Sequence, residues 1–482
     1  MNQPYANEAV AAADPTGAAA AGAAPTAVPL YAKRRKLQVK SVSGFFSRWR
    51  WAMVWLTQAI FYGLCWMPWN GRQAVLFDIV ERKFYLFGLV LWPQDVLYLS
   101  ILLIVSAYGL FLFTAIGGRL FCGYACPQTV YTELLMWIEE KIEGDRSARI
   151  KLDKAPLGMR KVALRTAKHA AWVAVALWTG FTFVGYFTPI KALSASAAGF
   201  SLGPWETFWI FFYAFATYGM AGFLREQVCK YMCPYARFQG VMFDPDTLIV
   251  TYDAERGEPR GPRLKKAGAG TPARGDCVDC GICVQVCPTG IDIRDGLQYE
   301  CIGCSACIDA CDQVMDKVGS PRGLIRYSTE NALEKHWGRR EIVGHVFRPR
   351  IFLYGSILAL IVIAAAWSIA ARLPLKVDVI RDRAALAREV EDERIENVYT
   401  LRFMNTDERP HTYRVRPSGL PGLALATGDE IAVPAATTKS VSVALRTRND
   451  AAGRGSHPIS LQIVDIDDPQ VALREKAVFI MP

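Results

Sequence analysis

The sequence predicts a multidomain membrane protein, with an α-helical transmembrane bundle of about five spans, an inserted cytoplasmic domain rich in cysteine and a C-terminal all-β sandwich. Hydrophobic residues make up 52% of the 482 residues and charged residues only 21%, a balance too apolar for a purely soluble chain. Most cysteines cluster between residues 277 and 311, and short stretches of alternating apolar and polar residues follow residue 372. Wholly disordered and collagen-like chains are also excluded.

Five apolar stretches are long enough to cross the hydrocarbon core of a bilayer, which takes roughly 20 residues. They are residues 51–69, 96–118, 170–190, 207–224 and 351–371. The stretch 84–92 is also apolar but too short, and we expect it to lie at the membrane interface. Tryptophan and tyrosine cluster at several span ends, as in an aromatic belt.

Lysine and arginine near the span ends orient the chain, because cytoplasmic loops carry the excess of these residues. They are frequent before the first span and in the loops 119–168 and 225–350, whereas the loop between the third and fourth spans contains Lys191 alone. We therefore expect a multi-pass protein of the bacterial inner membrane. Its N-terminus and those two loops would be cytoplasmic, and residues after 372 periplasmic. Such loops explain the net charge of +10 without nucleic-acid binding.

Two segments are typical of unstructured chain. Residues 1–30 are rich in alanine and lack a signal peptide's apolar core and cleavage site, so we expect a disordered tail. Residues 254–275 are rich in glycine, proline and basic residues, which is typical of a linker. The remaining domains then follow as the first four spans (31–253), a cysteine-rich domain (276–330), a connector with the fifth span (331–371) and a C-terminal domain (372–482).

The C-terminal domain shows the pattern of an antiparallel β-sandwich. Segments such as VYTLRF, TYRVRP and SVSVAL alternate apolar and polar residues, and polar turns separate them. The domain has no cysteine, so it needs an ordinary apolar core rather than a disulfide.

Eight cysteines form two runs with the spacing C-x2-C-x2-C-x3-C. This is the spacing of bacterial two-cluster ferredoxins, in which the fourth cysteine of each run ligates the other cluster. One predicted 4Fe–4S cluster is held by Cys277, Cys280, Cys283 and Cys311. The other is held by Cys301, Cys304, Cys307 and Cys287.

Two alternatives to this dicluster ferredoxin-like domain are disfavoured. Zinc sites use two C-x-x-C pairs, and disulfides are rare in the reducing cytoplasm. The second run departs from the pattern in one respect, since Cys311 is followed by Asp312 where the first run has Pro288. We expect this difference to affect a turn and no ligand.

Two further cysteine pairs follow the second and fourth spans, Cys122 and Cys126 in CGYACP and Cys229 and Cys233 in CKYMCP. On a continuing helix, residues four apart share a face, and the proline after each pair would end or bend that helix. Both pairs are expected at the same membrane depth, where they could converge into a site of four thiolates.

Several roles are open to this site. Thiolates suit Cu(I), zinc or iron–sulfur clusters, and dithiols can cycle with disulfides. Free cysteines also pack as small apolar residues, but repetition of the motif with its proline favours a functional site. The basic neighbours Arg119, Arg225 and Lys230 are expected to favour the thiolate form. The predicted catalytic and metal-binding residues are Cys122, Cys126, Cys229 and Cys233.

Cys65 and His169 are weaker candidates. Cys65 lies near the outer end of the first span and is expected to pack as an apolar residue. His169 lies where the third span begins, and an interfacial histidine is favoured over a metal or haem ligand. No acid–base pair, serine triad or phosphate loop competes with the cysteines, so electron transfer is the chemistry that the sequence indicates.

The segments CGYACPQTVYTE, CKYMCPYARFQGVMFD and YDAERGEPRG, together with the long ferredoxin block DCVDCGICVQVCPTG to DACDQVMDK, resemble the cytochrome c oxidase accessory protein family CcoG, also called FixG or RdxA. The resemblance covers about residues 30–482, and all twelve motif cysteines are present. It implies a periplasmic immunoglobulin-like domain and a role in assembly of cbb3-type cytochrome oxidase. It further implies reduction of Cu(II) to Cu(I), which makes copper the expected substrate.

Two functions from different classes remain open. The first is a membrane-bound cupric reductase that works with oxidase subunits or copper-delivery proteins and takes electrons from an unidentified donor. The second is an electron-transfer subunit of a respiratory complex, in which the thiol pairs serve quinol oxidation or relay. A pure assembly scaffold with structural clusters is a minor third possibility, because two clusters in a ferredoxin module are typical of electron transfer.

Overall fold

The computed structural model describes residues 36–262, 274–382, 387–390 and 393–482. The predicted tail (1–30) and residues 263–273 of the predicted linker lie outside the described residues. The described start of that linker includes a helical turn, Ala254–Gly257. All contacts below belong to the unit Gln38–Pro482.

The membrane part is mostly α-helical. Its helices are α1 (Phe45–Leu64), α2 (Val96–Gly117), α3 (Leu120–Tyr124), α4 (Pro127–Glu143), α5 (Arg146–Lys154), α6 (Met159–Val184), α7 (Ile190–Ala198), α8 (Pro204–Thr217) and α9 (Pro234–Met242). A short 3-10 turn, Pro93–Asp95, precedes α2. After α8 the chain continues in two π-helical segments, Tyr218–Leu224 and Val228–Met232.

Within the described residues, three helices are long and apolar enough to cross a membrane, Pro93–Gly117, Pro204–Leu224 and Pro349–Ala370. They coincide with the second, fourth and fifth predicted spans. The first and third predicted spans overlap α1 and α6, which begin with arginine- or lysine-bearing turns. Both predicted spans extend past the C-terminal ends of these helices, because α1 ends at Leu64 and α6 at Val184.

The apolar stretch 84–92 is folded as β-structure. The membrane part contains β1 (Pro68–Trp69), β2 (Arg72–Gln73), β3 (Val75–Asp78), β4 (Lys83–Leu86) and β5 (Leu89–Leu91). The first two pair with each other, and β3, β4 and β5 form a three-stranded antiparallel sheet. Cys65 is fully buried close by, in a core with Val184 and Leu193, as expected for a packing residue.

The cysteine-rich domain is small and built around one two-stranded sheet. Its elements are β6 (Ile249–Tyr252), α10 (Ala254–Gly257), α11 (Ile282–Gln285), the 3-10 turn Ile293–Asp295, α12 (Ala306–Val318) and β7 (Ile325–Ser328). The antiparallel pair β6–β7 closes the domain. Helices α13 (Glu330–Glu334) and α14 (Arg339–Val346) then lead to α15 (Pro349–Ala370).

The C-terminal domain is a β-sandwich, which confirms the predicted fold. Its strands are β8 (Leu375–Arg381), β9 (Arg388–Val390), β10 (Arg394–Asn405), β11 (His411–Ser418), β12 (Ala424–Leu425), β13 (Glu430–Val433), β14 (Thr438–Arg448), β15 (Gly455–Asp465) and β16 (Ala472–Met481). One sheet has the order β12-β14-β10-β8, with β9 also on β10, and the other the order β13-β11-β15-β16. Alternate side chains of both sheets form the core, including Leu401, Phe403, Leu445, Leu461 and Phe479.

Helices α2 and α15 pack antiparallel and separate the cysteine-rich domain from the sandwich. At one end the hydroxyls of Tyr98 and Ser368 lie 3.0 Å apart, next to Asp95, which pairs with Arg372 of the chain entering the sandwich at 2.5 Å. At the other end Arg348 donates to the Ala115 carbonyl at 2.8 Å. A helix of this length spans about 33 Å. The cysteine-rich domain and the sandwich therefore lie at opposite ends of these helices.

Helix α1 is capped by a residue of the cysteine-rich domain. Its N-cap position is Gly44, which has no side chain, and the Asp309 carboxylate of α12 accepts from the Phe46 and Ser47 amides at 3.2 and 2.7 Å. A Cβ at Gly44 would lie 2.2 Å from Asp309 Cγ. The glycine therefore makes room for the carboxylate, and the carboxylate binds amides that a helix start leaves free.

Replacing Asp309 with alanine should lower stability by about 1 kcal/mol, the usual effect of removing a helix N-cap. Thermal unfolding of the detergent-solubilised protein, followed by circular dichroism, measures the effect. Asp316→Ala is the matched control, because Asp316 lies on the same helix and forms an exposed pair with Arg322, which contributes little. Equal effects of the two changes would contradict the capping role.

Candidate iron–sulfur and thiol site

The eight cysteines of the two ferredoxin runs form two groups in space. The first cluster group consists of Cys277, Cys280, Cys283 and Cys311, and Cys311 lies within electrostatic reach of the other three cysteines. The second cluster group consists of Cys287, Cys301, Cys304 and Cys307, and Cys287 lies within electrostatic reach of the other three cysteines. The structure thus brings the cysteines together in the crossed arrangement that the spacing predicts.

The donor set fits clusters better than single ions. Among the described residues, no three histidine, cysteine, aspartate or glutamate side chains are close enough to hold one metal ion. Zinc–sulfur bonds of about 2.3 Å would bring four thiolates within about 4 Å of one another. A four-iron cluster keeps its cysteines farther apart, because each binds a different iron. The thiols of the two cluster groups therefore suit the predicted 4Fe–4S clusters.

The second cysteine of each run has the same local backbone. Asp279 and Gly281 on either side of Cys280 have φ of 54° and 62°, and Gly303 and Ser305 on either side of Cys304 have φ of 66° and 61°. These left-handed residues turn the chain sharply around the cysteine. Successive amides in such turns form concavities that suit anions, and a thiolate-ligated cluster is anionic.

The residue after Cys311 does not form a turn, which corrects the sequence-based interpretation. Cys311 lies inside α12, which continues to Val318, whereas α11 ends at Gln285, before Cys287. A proline at position 312 would remove a helical hydrogen bond. Asp312 instead continues the helix, and its carboxylate accepts from the Gly323 amide at 2.9 Å.

The two C-x3-C-P segments end in the same way, and neither forms one continuing helix. Cys122 lies in α3 and Cys229 in a π-helical segment. The second cysteine of each pair, Cys126 or Cys233, has extended backbone and is the N-cap of the helix that its proline begins. The prediction of one helix face was therefore wrong. A residue before proline favours extended backbone, and proline suits the first position of a helix.

The pairs nevertheless converge. Cys122 lies within electrostatic reach of Cys126 and Cys229, and Cys229 within reach of Cys126 and Cys233. We call these four residues the CxxxCP group. The structure thus brings together the two pairs that the sequence predicts to meet, although 102 residues separate Cys126 from Cys229.

Burial outweighs the basic neighbours in the CxxxCP group. Burial raises the pKa of Cys122 to about 12 and that of Cys229 to about 11, although Arg119 opposes the shift. Burial also raises the pKa of Cys126 against the amides of Thr129 and Gln128. Arg119 does favour the thiolate form of Cys122 and Cys229, as expected, but burial has the larger effect. Without a metal the thiols of Cys122, Cys126 and Cys229 stay protonated, and binding a metal would release their protons.

The CxxxCP group packs directly against the second cluster group. Cys122 and Cys229 contact an apolar core that contains Cys304, Ile302 and Ala306. A Cβ on Gly123 would lie 2.9 Å from the backbone of Cys304, and one on Gly303 would lie 3.1 Å from the Arg119 carbonyl. The two glycines let the backbones of α3 and the 303–305 turn meet without side chains between them.

Several residues near these thiols were missed by the sequence analysis. Gln239 accepts from the Cys122 thiol at 3.4 Å, and the Thr129 hydroxyl donates to the Cys122 carbonyl at 2.6 Å. Arg50 lies beside Cys304 and pairs with Glu133 at 3.1 Å. The glycine inside CGYACP was a usable signal, since an internal glycine often marks close backbone approach. Nothing in the sequence pointed to Arg50, Glu133 or Gln239.

His169 belongs to an aromatic cluster. Its Nδ1 lies 3.0 Å from the Tyr218 hydroxyl, and its ring contacts Trp172 and Phe223. These contacts show His169 packed among aromatic side chains, and its interfacial position stays a prediction.

Known families match three parts of the chain. A family described as a 4Fe-4S dicluster domain matches residues 224–330, and one described as a 4Fe-4S binding domain matches residues 99–144. The family of the IG-like fold at the C-terminal of FixG matches residues 365–482. Iron–sulfur domains on a membrane bundle define the class of this protein, an iron–sulfur membrane protein that transfers electrons.

Related proteins narrow the class to a family. The nitrogen fixation protein FixG of Rhizobium meliloti (strain 1021) is 39% identical over 437 residues, which cover 83% of each chain. Protein RdxB of Cereibacter sphaeroides is 37% identical over 449 residues, which cover 91% of this chain and 93% of RdxB. The chain belongs to the FixG family. The ferredoxin-type protein NapH of Escherichia coli (strain K12) is 24% identical over 269 residues, 52% of this chain and 85% of NapH.

Proposed function

We propose that this protein reduces Cu(II) to Cu(I) on the cytoplasmic side of the inner membrane, for assembly of a cbb3-type cytochrome c oxidase. The observation that supports the proposal is the contact between the CxxxCP group and the second cluster group. It places four soft sulfur donors beside the residues predicted to hold a redox centre. The eight ferredoxin cysteines would hold two 4Fe–4S clusters. The CxxxCP cysteines would bind copper as substrate, and they would have to move closer together to do so, because no three of them can hold one ion as they stand in the structure.

The chemistry needs one electron and no acid–base residue. Bound clusters supply one-electron transfer, and one electron converts Cu(II) to Cu(I), its source being a soluble reductant or the quinol pool. Soft thiolate ligands favour Cu(I) over Cu(II), so the CxxxCP group contributes to the driving force. Gly123 and Gly303 keep the path between thiols short, and the apolar residues Ile302 and Ala306 exclude water from it.

The positions of the cysteine-rich domain and the sandwich allow the two domains to act on opposite sides of the membrane. The thiol groups lie at the Ala115 end of α2, and the sandwich lies at its Tyr98 end. With the positive-inside orientation, the thiols face the cytoplasm and the sandwich the periplasm. The sandwich would then dock oxidase subunits or copper-delivery proteins.

An anaerobic copper assay tests the proposal. Dithionite-reduced, desalted protein is mixed with Cu(II), and Cu(I) is followed with a chromogenic chelator. We expect the native protein to form Cu(I), and a variant with serine at Cys122, Cys126, Cys229 and Cys233 to lose this activity while keeping its iron. Cys65→Ala is the matched control, because Cys65 is buried in a different core of the membrane part.

The outcomes separate the open functions. Equal Cu(I) formation by the native protein and the four-serine variant would mean leakage from exposed clusters and would contradict the thiol site. If neither protein forms Cu(I), copper reduction is wrong. The electron-relay function then takes its place, and quinol oxidation becomes the next assay.

A further inference from the structure

Arg50 is a buried cation beside the second cluster group. It lies in α1, 6% exposed, and its guanidinium donates to the Cys304 carbonyl at 3.4 Å. Its other terminal nitrogen pairs with Glu133 of α4 at 3.1 Å. The guanidinium is also within electrostatic reach of the Cys304 thiol and of Asp309. Since arginine does not lose its proton in proteins, this position always carries positive charge.

Arg119 is a second cation, within electrostatic reach of Cys301, but the surroundings of Cys304 otherwise oppose added negative charge. Cys304 is buried, and the residues packed around it include Val286, Ile302, Ala306 and Ala310. Reduction adds one negative charge to the group that these thiols hold, and apolar burial disfavours any added charge. A fixed positive charge at this place offsets that cost, because the potential of such centres depends on net charge and exposure.

The first cluster group has a different environment. Cys280 is exposed to solvent, so water can stabilise charge there. Its nearby cation, Arg294, interacts with Cys283 and is paired with two carboxylates, Asp279 at 2.5 Å and Asp292 at 2.7 Å. Arg50 likewise has two carboxylates within electrostatic reach, Glu133 and Asp309, so the two groups differ in their access to solvent and the buried one depends more on a fixed cation.

We propose that Arg50 is a positioning residue that raises the reduction potential of the centre held by Cys287, Cys301, Cys304 and Cys307. Because the potential is raised, electrons can reach this buried centre, which faces Cys122 and Cys229. The second statement rests on the proposed function, since it takes the CxxxCP group as the electron acceptor. The first statement holds whatever that acceptor is.

A redox titration of the cluster-loaded protein, followed by EPR without copper, tests the role of Arg50. Arg50→Gln should shift the midpoint potential of one EPR signal to more negative values, because it removes the cation and leaves Glu133. Glu133→Gln should shift the same signal to more positive values. The double variant should return close to the native potential, and Arg50→Lys should shift it least.

The opposite signs separate an electrostatic role from a structural one. A packing defect would move the potential in the same direction in both single variants, or reduce iron content, and either result would overturn the proposal. Arg294→Gln is the matched control and should move the other signal. If Arg294→Gln and Arg50→Gln move the same signal, the assignment of Arg50 to the second cluster group is wrong.

Failure of this inference is distinct from failure of the proposed function. The titration contains no copper, so opposite shifts without any Cu(I) formation in the copper assay would support Arg50 and remove copper reduction. Unchanged potentials in a protein that still reduces copper would support copper reduction and overturn the role of Arg50.

Discussion

Replacing Glu139 with alanine is expected to lower the free energy of unfolding by about 3–5 kcal/mol, the typical cost of removing one partner from a buried ion pair. Glu139 is fully buried in α4. Its carboxylate pairs with Arg225 at 2.7 Å, Arg149 at 3.4 Å and Lys168 at 3.5 Å. The alanine variant would leave three cations in the interior with one neighbouring carboxylate, Glu143, which pairs with Lys168 at 3.0 Å.

The Glu139 network also positions the thiols. Arg225 has a left-handed φ of 44° and lies between the two π-helical segments, four residues before Cys229. Its side chain ties this irregular backbone to α4, the helix that Cys126 caps. Loss of Glu139 should therefore weaken copper reduction as well as stability.

Thermal unfolding of the detergent-solubilised protein, together with its iron content, measures the Glu139 effect. Glu140→Ala is the matched control, because the next residue of α4 is half-exposed and surface substitutions usually change stability by less than about 0.5 kcal/mol. The cations around Glu139 hold its pKa below the ordinary value although burial opposes them. Its contribution is thus present at neutral pH and is lost on acidification. Similar melting of both variants would contradict the network's role.

Replacing Gly123 with alanine is expected to slow Cu(I) formation by about tenfold or more, since small displacements of reacting groups have effects of this size. The new Cβ would lie 2.9 Å from the backbone of Cys304, and a backbone cannot rotate away as a side chain can. The CxxxCP group and the second cluster group must then separate. The strain itself should cost about 1–3 kcal/mol, as overpacking usually does.

The copper assay and the iron content, measured together, distinguish separation from unfolding. Gly123→Ala should retain its iron while it loses Cu(I) formation. Gly240→Ala is the matched control, because Gly240 lies in the helix after the other C-x3-C-P segment and its Cβ would meet no atom within 4 Å. Full copper activity in Gly123→Ala would show that this contact is not part of the electron path.

Features that depend on neighbours in the chain were predictable from the sequence. The crossed grouping of the ferredoxin cysteines follows from their spacing, because three closely spaced thiols can surround one centre and the fourth lies beyond it. Three spans follow from unbroken apolar length, and the sandwich follows from alternation with polar turns.

The prediction of local conformation failed where two local preferences competed. The C-x3-C-P segments have helical spacing, yet the residue before each proline is extended, so each pair spans a helix boundary. Asp312 was interpreted as part of a turn, but without proline the helix that contains Cys311 continues. The apolar stretch 84–92 was recognised as too short for a span, but its pairing with β3 in a sheet was not predicted.

The sequence by itself determined the cofactor chemistry, the apolar spans and the alternating strands of the sandwich, because these depend on residue type and short spacing. Only the tertiary structure decided that Gly123 contacts Cys304, and that Arg50 and Glu133 pair beside that cysteine. These contacts join residues far apart in the chain. Each results from the packing of helices around the cysteine-rich domain, and residue spacing carries no information about that packing.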